Sequence, residues 1–326
     1  MISGFVNIDK PSGITSHDVI FRLRRSTRIK RMGHTGTLDP EATGVLPVAI
    51  GPACRFIDYL SKEKIYLAEF LLGTRTTTDD ISGTILELNN IDLTLSRKQI
   101  ESVLQKFIGS IKQTPPLYSA VHHNGQRLHH LARQKRHSSM NAQAMTTFLS
   151  TVKQRDVQVD HIDLLDIKLP VISLRITCSA GTYIRSLARD LGEELGCGAC
   201  LKSLRREKSG LFDLGQSIEL ERALSLSDKG QLKQSVIPSQ NVLNFKTIKL
   251  DSESTILIVK GQFLDLQSLK AHYSCDFKAD EKVLLLSEYG KEENFVIALG
   301  RVIQNVLIKP EIVLFSLHEW LRLVSA

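Results

Sequence analysis

Only five cysteines occur in the 326 residues: Cys54, Cys178, Cys197, Cys200 and Cys275. An odd, scattered set excludes a disulfide framework. Cys197 and Cys200 form a lone Cys-x-x-Cys in LGCGACL. No second pair and no histidines at ligand spacing accompany it, so it reads as buried small residues at a helix end rather than a zinc site. No apolar run reaches the length of a membrane-spanning helix. The N-terminal MISGFVNIDKPSG meets Asp9 before a secretory core could form, so a cytoplasmic location is expected. Walker lysine, dinucleotide fingerprint, serine elbow and metal-ligand cluster are all missing. There is no internal repeat or low-complexity segment.

The most informative absence is negative charge. Between Glu101 and Asp156 there is no acidic residue, while Lys106, Lys112, Arg127, Arg133, Lys135, Arg136, Lys153 and Arg155 fall there together with His122, His123, His129, His130 and His137. FRLRRSTRIKR (21–31) and KSLRREK (202–208) are further basic clusters, and the formal net charge is +7. A basic run is usually a solvated face. A long acid-free stretch in a chain that is 42% hydrophobic, enough for a sizeable core, points instead to a polyanionic partner.

What is present begins with RMGHTGTLDPEATGVLP, Arg31–Pro47. Three glycines forbid a regular helix here, and Pro40 restricts Asp39 to extended backbone. The segment reads as a shaped loop presenting Asp39. Taken alone, the loop reads first as an Asx-type turn in which Asp39 caps its own backbone. With no cofactor motif in the chain, one carboxylate remains as the candidate for acid/base or nucleophilic work, and a nearby arginine would keep it ionised.

Around this loop the pattern alternates strands and helices. FVNIDK reads as a strand. TSHDVIFRLRR reads as a helix capped by Thr15 or Ser16, with Asp18 in its first turn. Val45–Ile50 and Ile65–Gly73 read as strands, TILEL as a strand, and Ser96–Ile108 as a helix. QRLHHLARQKRH has helical character, and Ser138–Thr147 has no clear period and is expected to be mobile. DVQVDHIDLLDI and VISLRITCS read as strands. GTYIRSLARDLGEELG reads as a helix ending at Gly196, with Arg185 and Arg189 one turn apart. From about Asn244, TILIVKG, KVLLLSEYG, FVIALGRVI and PEIVLF read as strands of a small barrel.

GHTGTLDPEATGVLPVAIG (33–51), KIY (64–66), YSAV (118–121) and GTYIRSLARDLGEELGCGACLKSLRR (181–206), preceded by NIDKPSGITSHD (7–18), stand in an order that resembles the bacterial TruB family of tRNA pseudouridine synthases. The match covers roughly Gly4 to Gly210, and more loosely a C-terminal unit similar to a PUA domain. The resemblance implies an α+β pseudouridine synthase fold: a mixed, mainly antiparallel central sheet flanked by helices, plus a small PUA-like β-barrel. It implies a catalytic domain over 1–240, with a basic RNA-gripping arm at about 112–150, and an RNA-binding domain over 244–326. The implied reaction isomerises the T-loop uridine of tRNA (position 55 in tRNA numbering) to pseudouridine after base flipping. Asp39, Tyr66 and Arg185 match the family's catalytic residues, and His34, Lys10 and Tyr183 its substrate-binding ones. No cofactor, metal, guide RNA, membrane or obligate protein partner is implied. Thr77 stands where the family usually has an aspartate. Two other readings compete: an RNA-folding chaperone that does not need Asp39, and a guide-RNA-dependent enzyme of the dyskerin type, against which DLGEELGCGACL is bacterial in style.

Overall fold

The computed structural model describes residues 2–89, 95–119, 121–123, 125–128, 142–266, 277–287, 295–304 and 306–324. Its first element is strand β1 (Gly4–Lys10), followed by helix α1 (Ser16–Thr27), β2 (Met32–His34), β3 (Thr43–Ile50), β4 (Lys64–Leu72), β5 (Thr74–Thr76), β6 (Ile85–Leu88), α2 (Arg97–Leu104) and β7 (Gly109–Gln113). Helix α3 (Ala142–Ser150), strands β8 (Arg155–Lys168) and β9 (Val171–Cys178), helix α4 (Ile184–Glu194) and strands β10 (Ala199–Ser209), β11 (Phe212–Asp213) and β12 (Ile218–Glu219) complete the first unit, with helix α5 (Leu220–Asp228).

Ten of these strands form one sheet ordered β12-β1-β3-β10-β4-β9-β8-β7, with β2 paired to β3 and β11 to β10, and β5 pairs with β6 in a separate hairpin. Two pairings, β1–β12 and β3–β10, are parallel and the others antiparallel, so the sheet is mixed and mainly antiparallel. Strand β4 shows why the chain folds this way. Its side chains alternate without a break: Lys64, Tyr66, Ala68, Phe70 and Leu72 are buried and the residues between are half-exposed. On that face Ile184, Leu187, Ala188 and Leu191 of α4 pack into the main apolar cluster. Helix α1 begins as expected: Thr15 accepts from the Asp18 amide and Asp18 returns a bond to Thr15, a complete capping box.

A second, five-stranded sheet curls into a half-barrel from β13 (Lys246–Leu250), β14 (Leu264–Asp265), β15 (Lys282–Ser287), β16 (Phe295–Ile303) and β17 (Leu307–Val313), in the order β13-β15-β16-β17-β14. One expected strand of this unit is a helix. TILIV lies in α6 (Ser252–Val259), where the Asp251 carboxylate caps the start by accepting from the Ser254 amide at 2.7 Å. A short continuous apolar run carries no period that separates strand from helix, and the cap decides it. The chain's last described helix is α7 (Leu317–Val324).

The region expected to be a mobile arm divides. Residues 129–141, with His129, His130, Arg133, Lys135, Arg136 and His137, lie outside the described residues. Residues 142–150 are helical rather than patternless, because Met145 and Leu149 bury against Leu117, Val121, Leu128 and Val152 in a separate small core.

The core of the half-barrel is continuous with the back of the first sheet. Phe5, Val45, Ala49, Phe56 and Phe212 share one apolar cluster with Ile248, Ile258, Leu284, Leu299 and Trp320. Arg55 donates to the Val313 carbonyl, and the Lys282 ammonium sits 4.5 Å from the centre of the Tyr59 ring. Ending the chain at Leu243 uncovers that face. The shortened protein is expected to lose several degrees in Tm or to aggregate, as read by thermal unfolding and light scattering; an unchanged Tm in a monodisperse sample would show that the two units are energetically independent.

Candidate active site

The site is built around the Thr35–Ala42 loop between β2 and β3. Asp39 does not cap its own turn. Its carboxylate faces the Arg185 guanidinium from two sides, with Nε 2.9 Å from Oδ2 and Nη2 donating to Oδ1 at 3.0 Å. Arg185 is buried, 6% exposed, while the Asp39 side chain remains 38% exposed. The arrangement holds a carboxylate oriented by a two-point ion pair yet open to a ligand.

Arg185 in turn is fixed by two other segments. Its Nη1 donates to the Thr78 carbonyl at 3.2 Å and its Nη2 to the Tyr118 carbonyl at 3.0 Å, and Asp80 Oδ2 lies 3.7 Å from Nη1. One turn along α4, Arg189 pairs with buried Asp79 at 2.8 Å and donates to the Thr114 carbonyl. Burial pushes the Asp79 carboxyl up from its ordinary value, with Arg189 opposing. Asp80 orders its own turn by accepting from the hydroxyls of Thr78 and Ser82. Thr77 closes the same turn: its hydroxyl accepts from the Thr84 amide at 3.1 Å, and its own amide donates to the Thr84 carbonyl.

Tyr66 lies in β4, opposite Ile176 of β9 and Arg206 of β10, and is 8% exposed. Burial pushes its phenol up, Arg206 pulls it down, and the Asp39 charge adds to the rise. The other three candidates behave differently from one another. His34 is half-buried on β2; burial and the Arg206 charge push its pKa down, so the imidazole is neutral, and its buried Nδ1 has no hydrogen-bond partner among the described residues. Lys10 is wholly buried. Its ammonium donates to the carbonyls of Pro11, Ile14 and Pro40 at 2.7–2.9 Å, which occupies all three of its protons. In this arrangement Lys10 ties the backbone beside Asp39 and has no donor left for RNA. Tyr183 caps the start of α4; Gln113 bonds both its amide and its carbonyl, and its ring packs on the small core formed with α3.

Several residues that shape the site went unassigned in the sequence. Ser16 bonds both the amide and the carbonyl of Leu38. Arg206 donates to the carbonyls of Gly36, Thr37 and Val45. Lys64, 4% exposed, donates to Ser209 at 2.6 Å, and its side chain approaches Gly36 from beneath the loop. A hydrophobic alternation that places a lysine on the buried face of β4 was the available signal. Cys197 and Cys200 are free and buried, and burial pushes the Cys200 thiol up to about 12, which keeps it protonated and unreactive.

Comparison with known proteins accords with this geometry. Residues 24–184 match the family model described as TruB family pseudouridylate synthase (N terminal domain), and residues 185–244 the tRNA pseudouridylate synthase B C-terminal domain. The chain is 46% identical over 223 residues to tRNA pseudouridine synthase B of Gloeobacter violaceus, covering 67% of this chain and 72% of that protein. It is 39% identical over 297 residues to the protein of the same name from Dehalococcoides mccartyi strain BAV1, covering 90% and 91%. Among solved structures, a chain of a Cbf5-Nop10-Gar1 complex superimposes with a TM-score of 0.67 at 24% identity, over 97% of this chain and 86% of that one, a likeness of fold. Fold and site together define a pseudouridylate synthase. The chain belongs to the TruB family.

The buried lysines give the site a pH signature. Burial lowers the Lys64 pKa from 10.5 to about 8, and the nearby Arg206 charge pushes in the same direction. Between those two values the unfolded chain holds the proton that the folded one releases, so the stability carried by this group rises as pH climbs from about 8 to 10.5. Lys64→Met removes the group. Denaturant unfolding of both proteins at pH 7.5 and 10 should show wild type gaining on the variant by up to roughly 3 kcal/mol over that range; a gap independent of pH would mean that Lys64 is not charged and buried as placed.

Proposed function

We propose that the protein acts alone on tRNA, converting the T-loop uridine at position 55 to pseudouridine, with Asp39 as the reacting carboxylate. The observation that carries this reading is the two-sided Asp39–Arg185 pair: a half-open carboxylate, held by a buried arginine, beside the Tyr66 phenol. The names of the curated relatives supply the tRNA substrate.

The chemistry needs no co-reactant. The bond from the sugar C1′ to N1 of uracil breaks and a bond from C1′ to C5 forms; C5 loses a hydrogen and N1 gains one, so product and substrate are isomers. A carboxylate held at the reacting centre can attack, remove a proton or stabilise the positive charge that develops at the sugar. The target base is stacked within a folded loop, and flipping it out costs about a few kcal/mol. Stacking against an aromatic such as Tyr66 offsets roughly 1–3 kcal/mol of that. In this reading half-buried His34, next to the loop, meets the opened T loop, and Tyr183 acts by joining the small core of the arm to α4.

The basic surface supports the polyanion. Arg25, Arg28, Lys30 and Arg31 at and after α1, and Lys112, Arg127, Lys153 and Arg155 in the acid-free span, are exposed. We assign the catalytic domain to residues 1–240 and an RNA-binding role to 244–326. No guide RNA is required in this reading, and the cytoplasm is the compartment where the substrate is found. No helix among the described residues is long and apolar enough to cross a membrane.

The test pairs wild type with Asp39→Asn on an unmodified tRNA transcript, without guide or cofactor. Wild type should form pseudouridine at the T-loop position, and the variant should be slower by about 10³-fold or more while binding tRNA within a few-fold. Binding by both proteins and modification by neither would leave an RNA chaperone or a guide-dependent enzyme in place of this reading.

A further inference from the structure

Arg206 is among the largest fully buried side chains of the protein, 1% exposed. It donates to three carbonyls, Nε to Val45 at 2.7 Å, Nη2 to Gly36 at 3.0 Å and Nη1 to Thr37 at 3.5 Å, and its side chain also hydrogen-bonds the Tyr66 phenol. Taking a guanidinium out of water is costly, and an apolar residue would fill the space with less penalty. An arginine is explained where buried carbonyls would otherwise lack donors. Those carbonyls belong to both limbs of one loop. Gly36 and Thr37 lie just before Asp39, and Val45 lies in the strand by which the chain leaves.

Two further contacts locate this clamp. Arg206 is the cross-strand partner of Tyr66 on one side and of Gly44 on the other. At Gly44 the backbone has φ +101°, and an added Cβ would lie 2.3 Å from the Arg206 carbonyl oxygen, so only glycine permits the loop exit to press so closely on β10. The loop that bears Asp39 and the strand that bears Tyr66 therefore meet at a single residue.

We infer that Arg206 is a positioning residue for the reaction, a planar fork that fixes the Asp39 loop over Tyr66. It acts through the backbone of the loop, whereas Arg185 acts on the carboxylate itself. Lysine in its place keeps the charge but not the fork, and reaches one limb of the loop at a time. The inference rests on the proposed role of Asp39, and a readout independent of activity separates the two.

The experiment uses the full-length protein as wild type, Arg206→Lys, Arg206→Gln and, as a surface control, Arg175→Gln. Arg175 pairs with Glu207 on the exposed side of the sheet. Single-turnover pseudouridine formation, tRNA affinity and hydrogen exchange by mass spectrometry are measured on each. For Arg206→Lys the rate should fall about 100-fold, the loss expected of a displacement near 1 Å, with affinity kept within about threefold. Exchange over residues 33–46 should quicken at least about tenfold while β4 and α4 keep their protection. Arg206→Gln, uncharged but with two amide protons, is judged by the same criteria and serves if the lysine variant does not fold. A folded variant with a rate near wild type overturns the inference, as does a rate loss matched by an equal loss of affinity or by loosening of the whole protein. If wild type forms no pseudouridine, the reading of function fails; local loosening of 33–46 then still supports the clamp, and unchanged exchange removes it.

Discussion

A loop that buries its backbone outside any ladder must find donors for its carbonyls elsewhere. The loop bearing Asp39 finds them in three side chains from three elements: Arg206 of β10 for Gly36, Thr37 and Val45, Ser16 of α1 for Leu38, and Lys10 of β1 for Pro40. Each tie lies within a few residues of Asp39, and together they bracket it. Much of the surrounding architecture follows from this need. The mixed sheet brings β1, β3 and β10 together at one end, and the parallel pairing of β10 with β3 sets Arg206 beneath the loop. A carboxylate that must meet a reacting atom gains more from such fixed backbone than from any single hydrogen bond of its own.

Those ties concentrate positive charge. Lys10, Lys64, Arg185, Arg189 and Arg206 are all buried, and burial pushes the two lysines down to about 8. The described acids that pair with the arginines are Asp39, Asp79, Asp80 and Asp190. The interior beneath the loop is thus positive, which together with burial favours a neutral His34. It also extends inward the field that the exposed arginines and lysines present to a phosphate backbone.

How much of this was legible in the sequence depended on whether local pattern or tertiary placement decided each feature. The α1 cap, the alternation of β4, the α4 helix and the mixed sheet follow from short-range signals that the fold did not override. Asp39 and Arg185 stood out through the motifs that contain them, and the fold brings the pair together across 146 positions of chain. Arg206 was read as one member of a basic cluster. Strand β10 carries bulges between Leu201 and Ser203 and between Arg206 and Lys208, so its inside and outside do not alternate, and no period distinguishes buried Arg206 from half-exposed Arg205. Lys10 was assigned to substrate binding through its match to the family's Lys-Pro motif; the three carbonyls that converge on its ammonium are visible only once the chain is folded.

The same logic explains why α4 rather than the loop alone defines the site. Arg185 and Arg189 stand one turn apart, and each takes an aspartate from the 77–83 turn, Asp80 and Asp79. Arg185 and Arg189 also draw in the carbonyls of Tyr118 and Thr114, and Ser186 adds a second bond to Thr114. The Tyr118 ring, in turn, packs on the small core shared with α3 and Tyr183. A shift of the arm that moved this core would therefore reach Arg185 through the Tyr118 carbonyl before it reached any other part of the site. The guanidinium that pairs with Asp39 is thus also held by a carbonyl of the segment that builds the small core.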